Sequence, residues 1–195
     1  MRSRVLQQEG AVHSDDELYR MFLNGDSSSY DQLMIRYGDS LTFYINGYTH
    51  DIQDAEDLMI EAFARIMVKK PRIHAGAFKA YLYKTARNLA SRFHERRSHI
   101  TTFGFDDLSD EVADTLLTED ILKDRQKKEV LHLCLERIDP KMKEALWLFY
   151  FEGLSYAEAS DIMGMRTKQF DHLLSRGKEE MRKELMKEGV SNANE

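Results

Sequence analysis

Residues 153–170 read GLSYAEASDIMGMRTKQF. Ser155 and Glu158 have the spacing of a capping box, in which a Ser hydroxyl and a Glu carboxylate satisfy free N–H groups at a helix start. The helix that starts there is short and ends at Gly164, and a second, longer helix is expected over residues 167–187. A short helix, a tight turn with glycine and a second helix with polar first turns is the layout of a helix-turn-helix.

Helical periodicity continues on both sides of this segment, and strand signals are nearly absent. Residues 122–138 have the pattern of an amphipathic helix. Asp139-Pro140 marks the start of the next helix, because proline fits the first helical position. We expect Cys134 and Trp147 to lie in the core of this part of the chain.

The N-terminal half also has the pattern of consecutive helices. Two apolar stripes are interrupted near residues 24–26, and the serines at 27–29 are N-cap candidates for the second helix. A third helix can start at Asp51 or Asp54 and stops at Pro71, since proline interrupts helices. Residues 78–97 form the fourth predicted helix.

Between the two halves, residues 98–120 have weak periodicity, several Ser and Thr residues and many acids. We interpret this stretch as a linker. The sequence therefore predicts an all-α protein with two small helical domains, over residues 15–98 and 122–188, joined by an acidic linker at 99–121.

The formal net charge of −6 conceals four blocks along the chain. Residues 15–67 hold eleven acids and three bases, and residues 69–99 hold nine bases and one acid. Residues 101–122 hold seven acids and no base, and residues 123–188 are nearly balanced. Variation among solvated faces could explain one block. Four bounded blocks in succession favour separate surfaces for separate partners.

Composition excludes several classes of protein. The single cysteine excludes an internal disulfide framework, and the seven histidines show no zinc spacing. The first residues, MRSRVLQQEG, lack the apolar run of a signal peptide, and no stretch approaches the roughly 18 apolar residues of a membrane span. We found no nucleotide loop or catalytic triad. The sequence thus predicts a cytoplasmic, non-enzymatic protein with no metal, no cofactor and no membrane insertion.

The basic block centres on residues 78–97, FKAYLYKTARNLASRFHERR. On a helix, Phe78 and Phe93 share the face that can enter a core, whereas Tyr83 and Arg87 lie on a second face with other cations. Cations bind phosphates and aromatic rings stack on unpaired bases, so the pattern favours single-stranded nucleic acid. The alternative is a solvated helix whose basic side chains cover apolar surface with their stems.

Three stretches in order resemble the sigma-70 family of bacterial RNA polymerase sigma factors, most closely its two-domain extracytoplasmic-function type. DIQDAEDLMIEAFARIM (51–67) and the basic stretch 78–97 are similar to region 2 of the family. LERIDPKMKEALWLFYFEGLSYAEASDIMGM (135–165) is similar to region 4. The resemblance spans roughly residues 15–187.

The resemblance implies a role in transcription initiation with core RNA polymerase and promoter DNA as partners. The acidic region 2 helix would dock on the polymerase through Asp54, Glu56, Asp57 and Glu61. These carboxylates could instead be an ordinary exposed helix face, with the first of them complementing the helix dipole. An anti-sigma factor is a common further partner in the family, although nothing in these residues requires one.

The resemblance also implies which residues contact DNA. The promoter −10 element, double-stranded and then melted, would be bound by Lys70, Arg72, His74, Lys79, Tyr81, Tyr83, Lys84, Arg87, Asn88 and Arg92, with Arg96 and Arg97 reaching the upstream duplex. Tyr81 stands where relatives often have Trp, and its ring could be buried instead. The −35 element would be bound by Arg166, Thr167, Lys168, Gln169, His172 and Arg176.

The second helix of the helix-turn-helix departs from the family pattern. Gln169 and Phe170 stand where many relatives have Thr-Val, and Asp171 replaces a base and would repel phosphate. We expect Phe170, Leu173 and Leu174 to pack inward. The competing interpretation is a stand-alone helix-turn-helix regulator, whose N-terminal helices would sense a ligand or dimerise and which would bind duplex DNA without polymerase.

Overall fold

The computed structural model describes residues 13–97 and 133–188, without the side chains of His94, Arg96 and Arg97. Every regular element in these two ranges is a helix, which confirms the all-α prediction. The predicted linker at 99–121 lies outside the described residues, as do the predicted domain boundaries at 98 and 122. None of the described helices is long and apolar enough to cross a membrane.

Four helices form the N-terminal half. They are α1 (Asp15–Leu23), α2 (Ser27–Thr49), α3 (Ile52–Lys69) and α4 (Phe78–Arg97). Each of the first three starts at a side-chain cap. Ser14 caps α1 through a capping box with Glu17, and Asp51 caps α3. The predicted serine caps of α2 are wrong, because the carboxylate of Asp26 is the N-cap and accepts the Ser28 N–H.

The N-terminal core lies where α2, α3 and α4 meet. Tyr44, Phe63 and Phe78 are fully buried there, so the predicted inward position of Phe78 is confirmed. The Tyr30 ring packs edge-on against Phe63 at 5.7 Å, and its hydroxyl donates to the Phe63 carbonyl. Phe93 packs against the same core from the C-terminal end of α4.

The C-terminal half builds the predicted helix-turn-helix. Residues 133–136 are helical and are followed by α5 (Pro140–Leu146), a π-helical turn (Trp147–Phe151), α6 (Tyr156–Ile162) and α7 (Thr167–Lys187). The Ser155–Glu158 capping box opens α6 as predicted. Gly164 adopts a φ of 68° in the turn before α7, a conformation that favours glycine. The π-helical turn was not predicted.

The C-terminal core contains Cys134 and Trp147, both buried as expected. α5 and α7 approach closely at Gly177, where an added Cβ would lie 3.2 Å from the Met142 Cβ. Phe170 and Leu174 are fully buried and Leu173 is half-buried, which confirms the predicted inward face of α7. This packing leaves the first turns of α7 on the surface.

The two halves contact each other, and α4 packs against α6. The basic helix of the N-terminal half therefore lies between its own core and the C-terminal half.

Candidate nucleic-acid interface

The loop from residue 70 to 77 is held in place by α1. The Asp16 carboxylate accepts the Gly76 N–H at 2.8 and 3.0 Å, and the Tyr19 hydroxyl donates to the Pro71 carbonyl at 2.8 Å. Lys70 closes α3 with a φ of 43°, and its ammonium lies 5.2 Å from the centre of the Phe22 ring. A positioned loop with exposed cations can present them to phosphates in a defined arrangement.

Half of the predicted −10 residues with described side chains are exposed on this loop and on the outer face of α4. They are Lys70, Arg72, His74, Asn88 and Arg92. Tyr81 is half-buried and packs against the core with part of its ring. Arg96 and Arg97 belong to α4, but their side chains lie outside the described residues, and their contact with the upstream duplex stays a prediction.

The prediction that Tyr83 offers an exposed ring is wrong. Its side chain is fully buried, with the ring 5.3 Å from that of Tyr44 and the hydroxyl 2.9 Å from Ser40 Oγ. Burial raises the pKa of Tyr83, and the nearby Glu152 carboxylate adds to the shift. Tyr83 was placed wrongly because α4 is covered on two sides, so that a second face of this helix also lies in the interior.

The second face of α4 points at the C-terminal half, and Arg87 is its central cation. Arg87 Nε donates to Glu144 Oε1 at 2.6 Å, and Nη2 lies 3.4 Å from Oε2. The same carboxylate accepts from the hydroxyls of Tyr44 at 2.8 Å and Tyr48 at 2.5 Å. Glu144 is only 2% exposed. We call this group, with Tyr44, Tyr48, Arg87 and Glu144, the interdomain clasp.

The electrostatics of the clasp favour a charged pair with neutral tyrosines. Burial is the largest single effect on Arg87 and opposes its charged form, but the Glu144 carboxylate together with Tyr48 and Tyr44 outweighs it, so the pKa of Arg87 is raised. Burial also raises the pKa values of Tyr44 and Tyr48, and the Glu144 charge reinforces both shifts. At neutral pH the Arg87 guanidinium therefore stays charged and both tyrosines stay neutral.

Two more ion pairs flank the clasp. Lys79 Nζ lies 3.0 Å from Glu152 Oε2 and donates to the Glu152 carbonyl at 2.6 Å. The Glu152 side chain is 4% exposed and also accepts the Trp147 Nε1–H. Lys84 Nζ lies 2.6 Å from an Asp161 carboxylate oxygen in a more exposed position. Three predicted −10 residues are thus paired with acids of the C-terminal half.

Sequence reasoning missed Glu144 and Glu152 as functional candidates. The sequence signal is weak: Lys143 and Glu144 stand inside an otherwise apolar stretch, and the structure buries residues 142–148 without interruption. Charged residues are almost never fully buried unless they are paired. A polar pair inside an otherwise apolar stretch therefore indicates partners elsewhere in the chain.

The first turns of α7 form a separate polar surface. All six predicted −35 residues are exposed there: Arg166, Thr167, Lys168, Gln169, His172 and Arg176. The Gln169 side-chain oxygen accepts the Arg166 N–H at 2.9 Å, so this amide also caps the helix. Asp171 is exposed on the same surface. The mixture of bases, amide and acid suits hydrogen bonding to base edges as well as phosphate contact.

The exposed face of α3 combines acids with apolar side chains. Glu56, Asp57 and Glu61 are exposed, and Asp54 is half-exposed. Glu61 pairs with Arg65 one turn later at 2.6 Å. Ile60 is 52% exposed and Val68 is 79% exposed on the same helix. The exposure of Ile60 and Val68 was not predicted. A surface that combines acidic and apolar residues fits a protein partner better than a nucleic acid.

No group of His, Cys, Asp or Glu that could hold a metal ion occurs in residues 13–97 and 133–188.

Comparisons with known proteins identify the family. Residues 33–100 match the family model described as Sigma-70 region 2, and residues 128–181 match the model described as Sigma-70, region 4. Together these two matches cover more than half of the chain, and region 2 precedes region 4, as the sequence motifs predicted.

Curated relatives agree with the models. The chain is 28% identical over 169 residues to the ECF RNA polymerase sigma factor SigE of Mycolicibacterium smegmatis, covering 85% of this chain but only 65% of that protein. It is 27% identical over 179 residues to the ECF RNA polymerase sigma factor SigM of Bacillus subtilis, covering 90% of this chain and 97% of that protein.

Solved structures share the fold. CnrH, solved in complex with the cytosolic domain of CnrY, gives a TM-score of 0.60 at 16% identity over 91% of this chain and 99% of that one. RpoE of Bartonella quintana, solved with the anti-sigma factor NepR, gives a TM-score of 0.56 at 18% identity, over 80% of this chain and 96% of that one. The paired region matches, together with the curated relatives, show that the chain belongs to the sigma-70 family of RNA polymerase sigma factors, in its extracytoplasmic-function group.

Proposed function

We propose that this chain binds core RNA polymerase and gives it promoter specificity by contacting the −10 and −35 elements. The observation that carries the proposal is the separation of three exposed surfaces. α3 offers acids with apolar side chains, the 70–77 loop with α4 offers cations and an amide, and the first turns of α7 offer a mixed polar surface. Each surface has the chemistry of a different partner.

The 70–77 loop and α4 suit the melted −10 element. Lys70, Arg72 and Arg92 can hold phosphates of the separated strand, since each neutralised phosphate releases counterions. Asn88 carries a donor and an acceptor side by side, which can read a base edge. Tyr81 keeps part of its ring accessible and can stack on an extruded base. Lys79, Lys84 and Arg87 join this surface when they are released from their acids.

The first turns of α7 suit duplex DNA at the −35 element. A helix-turn-helix places its second helix in the major groove, with the N-terminal residues at the base edges. Lys168 and Arg176 would position the helix on the backbone, whereas Gln169 and Arg166 would reach bases. Asp171 can accept from a cytosine amine and repels phosphate elsewhere. We infer an unusual −35 preference for this chain.

The α3 face suits the polymerase. Its carboxylates can steer the chain to a basic surface and set the register, and the exposed Ile60 and Val68 provide apolar contact. The RpoE neighbour was solved with the anti-sigma factor NepR. A protein partner of that kind is a further proposal for this chain.

The docking surface can be tested by a pair of adjacent charge reversals. Glu56→Lys with Asp57→Lys should weaken binding to core polymerase of the same bacterium by about tenfold or more, because like charges would then face each other. The matched control is Glu179→Lys with Glu180→Lys, which reverses two adjacent acids on α7. Equal affinity of both pairs in a binding titration would exclude α3 as the docking surface.

The stand-alone regulator remains the second candidate, supported by the exposed recognition helix alone. Such a protein would bind a specific duplex without polymerase. Selection of DNA from a random library by the isolated chain distinguishes the two: the sigma-factor proposal predicts enrichment only when core polymerase is present.

A further inference from the structure

One helix, α1, bonds to the 70–77 loop near both of its ends. The Tyr19 hydroxyl donates to the Pro71 carbonyl at 2.8 Å, where the chain has just left α3. The Asp16 carboxylate accepts the Gly76 N–H at 2.8 and 3.0 Å, shortly before α4 begins. The two side chains are three residues apart, so they lie on the same side of α1. The spacing between the loop ends is therefore matched by one turn of a helix that is not part of the loop.

Both ends of the loop use a left-handed backbone conformation. Lys70 has a φ of 43° and its N–H donates to the Ile66 carbonyl at 2.8 Å, whereas Gly76 has a φ of 77°. A positive φ is uncommon for a residue that carries a Cβ, and such conformations persist where the surrounding structure fixes them. At Lys70 this structure includes α1, since the ammonium lies 5.2 Å from the centre of the Phe22 ring. The loop thus leaves α3 and enters α4 in directions that α1 helps to fix.

The exposed side chains between the two anchors include Arg72 and His74. The Arg72 guanidinium can donate two hydrogen bonds to a guanine edge, and a neutral His74 ring carries one donor and one acceptor. A hydrogen bond to a base edge requires a distance of about 3 Å and good alignment, whereas a cation attracts a phosphate over a longer range. Base reading by these side chains therefore depends on where the loop backbone is held.

The contact of Asp16 with the loop is not needed to build α1. A capping box already starts this helix. Asp15 already ties it to α2, because its carboxylate accepts hydrogen bonds from Arg36 and Tyr37. The bond from the Gly76 N–H to Asp16 is better explained by a requirement of the loop than by a requirement of the helix.

We propose that α1 sets the base specificity of the −10 contact, with Asp16 and Tyr19 as positioning residues that hold Arg72 and His74 in place. This proposal rests on the function proposed above, because it assumes that the 70–77 loop binds the −10 element. Without the two anchors the loop cations still reach phosphates through their flexible stems, but hydrogen bonds to base edges lose their geometry. Loss of an anchor should therefore reduce discrimination between bases and leave the sequence-independent affinity in place.

The test uses the full chain assembled with core polymerase of the same bacterium. Wild-type holoenzyme first selects its preferred −10 sequence from promoter fragments that are randomised in this element. Fluorescence anisotropy then gives the dissociation constants for a single strand with the selected sequence and for strands with one base replaced. The ratio of these constants measures discrimination at each base.

The variants are Asp16→Ala, which removes one anchor, and Tyr19→Phe, which removes only a hydroxyl from the other. Asp16→Asn keeps an oxygen that can accept the Gly76 N–H and serves as the rescue variant. The matched controls are Asp15→Ala, on the same turn of α1, and Tyr30→Phe. The Tyr30 hydroxyl donates to a backbone carbonyl of α3 at 2.6 Å, which is the same kind of bond away from the loop.

Asp16→Ala should lower the discrimination ratio by about tenfold at the bases that the loop reads, and Tyr19→Phe by about threefold. Both should bind the base-replaced strands as the wild type does. Asp16→Asn should keep most of the discrimination, and the two controls should keep the wild-type ratio. If Asp16→Ala loses its helical circular dichroism, Tyr19→Phe decides the question, because it removes a single hydroxyl.

Unchanged ratios in Asp16→Ala and Tyr19→Phe would overturn the proposal, and the function proposed above would stand, because the wild type still discriminates. An equal loss in the two controls would also overturn it, since a general weakening of the domain would then explain the effect. If wild-type holoenzyme selects no −10 sequence at all, the proposed −10 function fails, and the role of α1 fails with it.

Discussion

The clasp makes a sharp prediction for a double-mutant cycle on Arg87 and Glu144. In Arg87→Ala, the Glu144 carboxylate stays buried with two tyrosine donors but without its countercharge. Breaking a fully buried pair costs roughly 3–5 kcal/mol. The Arg87 side chain is 23% exposed, so water partly screens the pair and about 2–3 kcal/mol is the expected loss.

The other two corners of the cycle follow from the same geometry. Glu144→Gln keeps an acceptor for the tyrosines and leaves Arg87 partly hydrated, so we expect a smaller loss of about 1–2 kcal/mol. The double variant removes both charges and should lose less than the sum of the single variants. The coupling energy is then about 1–2 kcal/mol, within the range for residues in direct contact.

Urea unfolding followed by tryptophan fluorescence measures these free energies. Trp147 is the only tryptophan in the chain, and its Nε1–H donates to Glu152 beside the clasp. The matched control is Arg137→Ala with Glu188→Gln, an ion pair whose side chains are 48% and 30% exposed. That pair should couple more weakly, because solvent screens it. Additive effects at Arg87 and Glu144 would refute the reasoning.

Three further predictions concern caps, the loop and pH. Ser155→Ala removes the cap of α6 and should lower the free energy of unfolding by about 1 kcal/mol, measured in urea. Asp16→Ala frees the Gly76 N–H and should weaken holoenzyme binding to a melted −10 strand by up to about tenfold, while binding to a −35 duplex stays unchanged. Stability should fall as the pH rises through about 10, because the unfolded chain then releases tyrosine protons that the folded chain retains. Burial raises the pKa values of Tyr44 and Tyr48, so Tyr48→Phe should make this fall shallower in urea titrations at increasing pH.

Local signals in the sequence predicted most of the secondary structure. Capping at Ser155, the start at Asp139-Pro140 and the span 167–187 of the last helix follow from short-range chemistry, and the structure confirms them. The π-helical turn at 147–151 was not foreseeable in this way, because its apolar residues WLFYF fit an α-helix equally well.

The candidate site was less predictable because burial of α4 is a tertiary property. Helical periodicity correctly assigned Phe78 to the core but placed Tyr83 on an exposed face. Periodicity within one helix cannot show that a second domain covers another face. The partner acids are also distant in sequence, since 57 residues separate Arg87 from Glu144. Local motifs identify the cations, and only the packed chain identifies what neutralises them.

The most direct test of the proposed function is transcription in vitro with core polymerase of the same bacterium and a library of its promoter fragments. We predict that adding the full chain produces new start sites that share two spaced upstream elements, and that these sites are absent with core polymerase alone. Identical start sites with and without the chain would contradict a role in promoter selection.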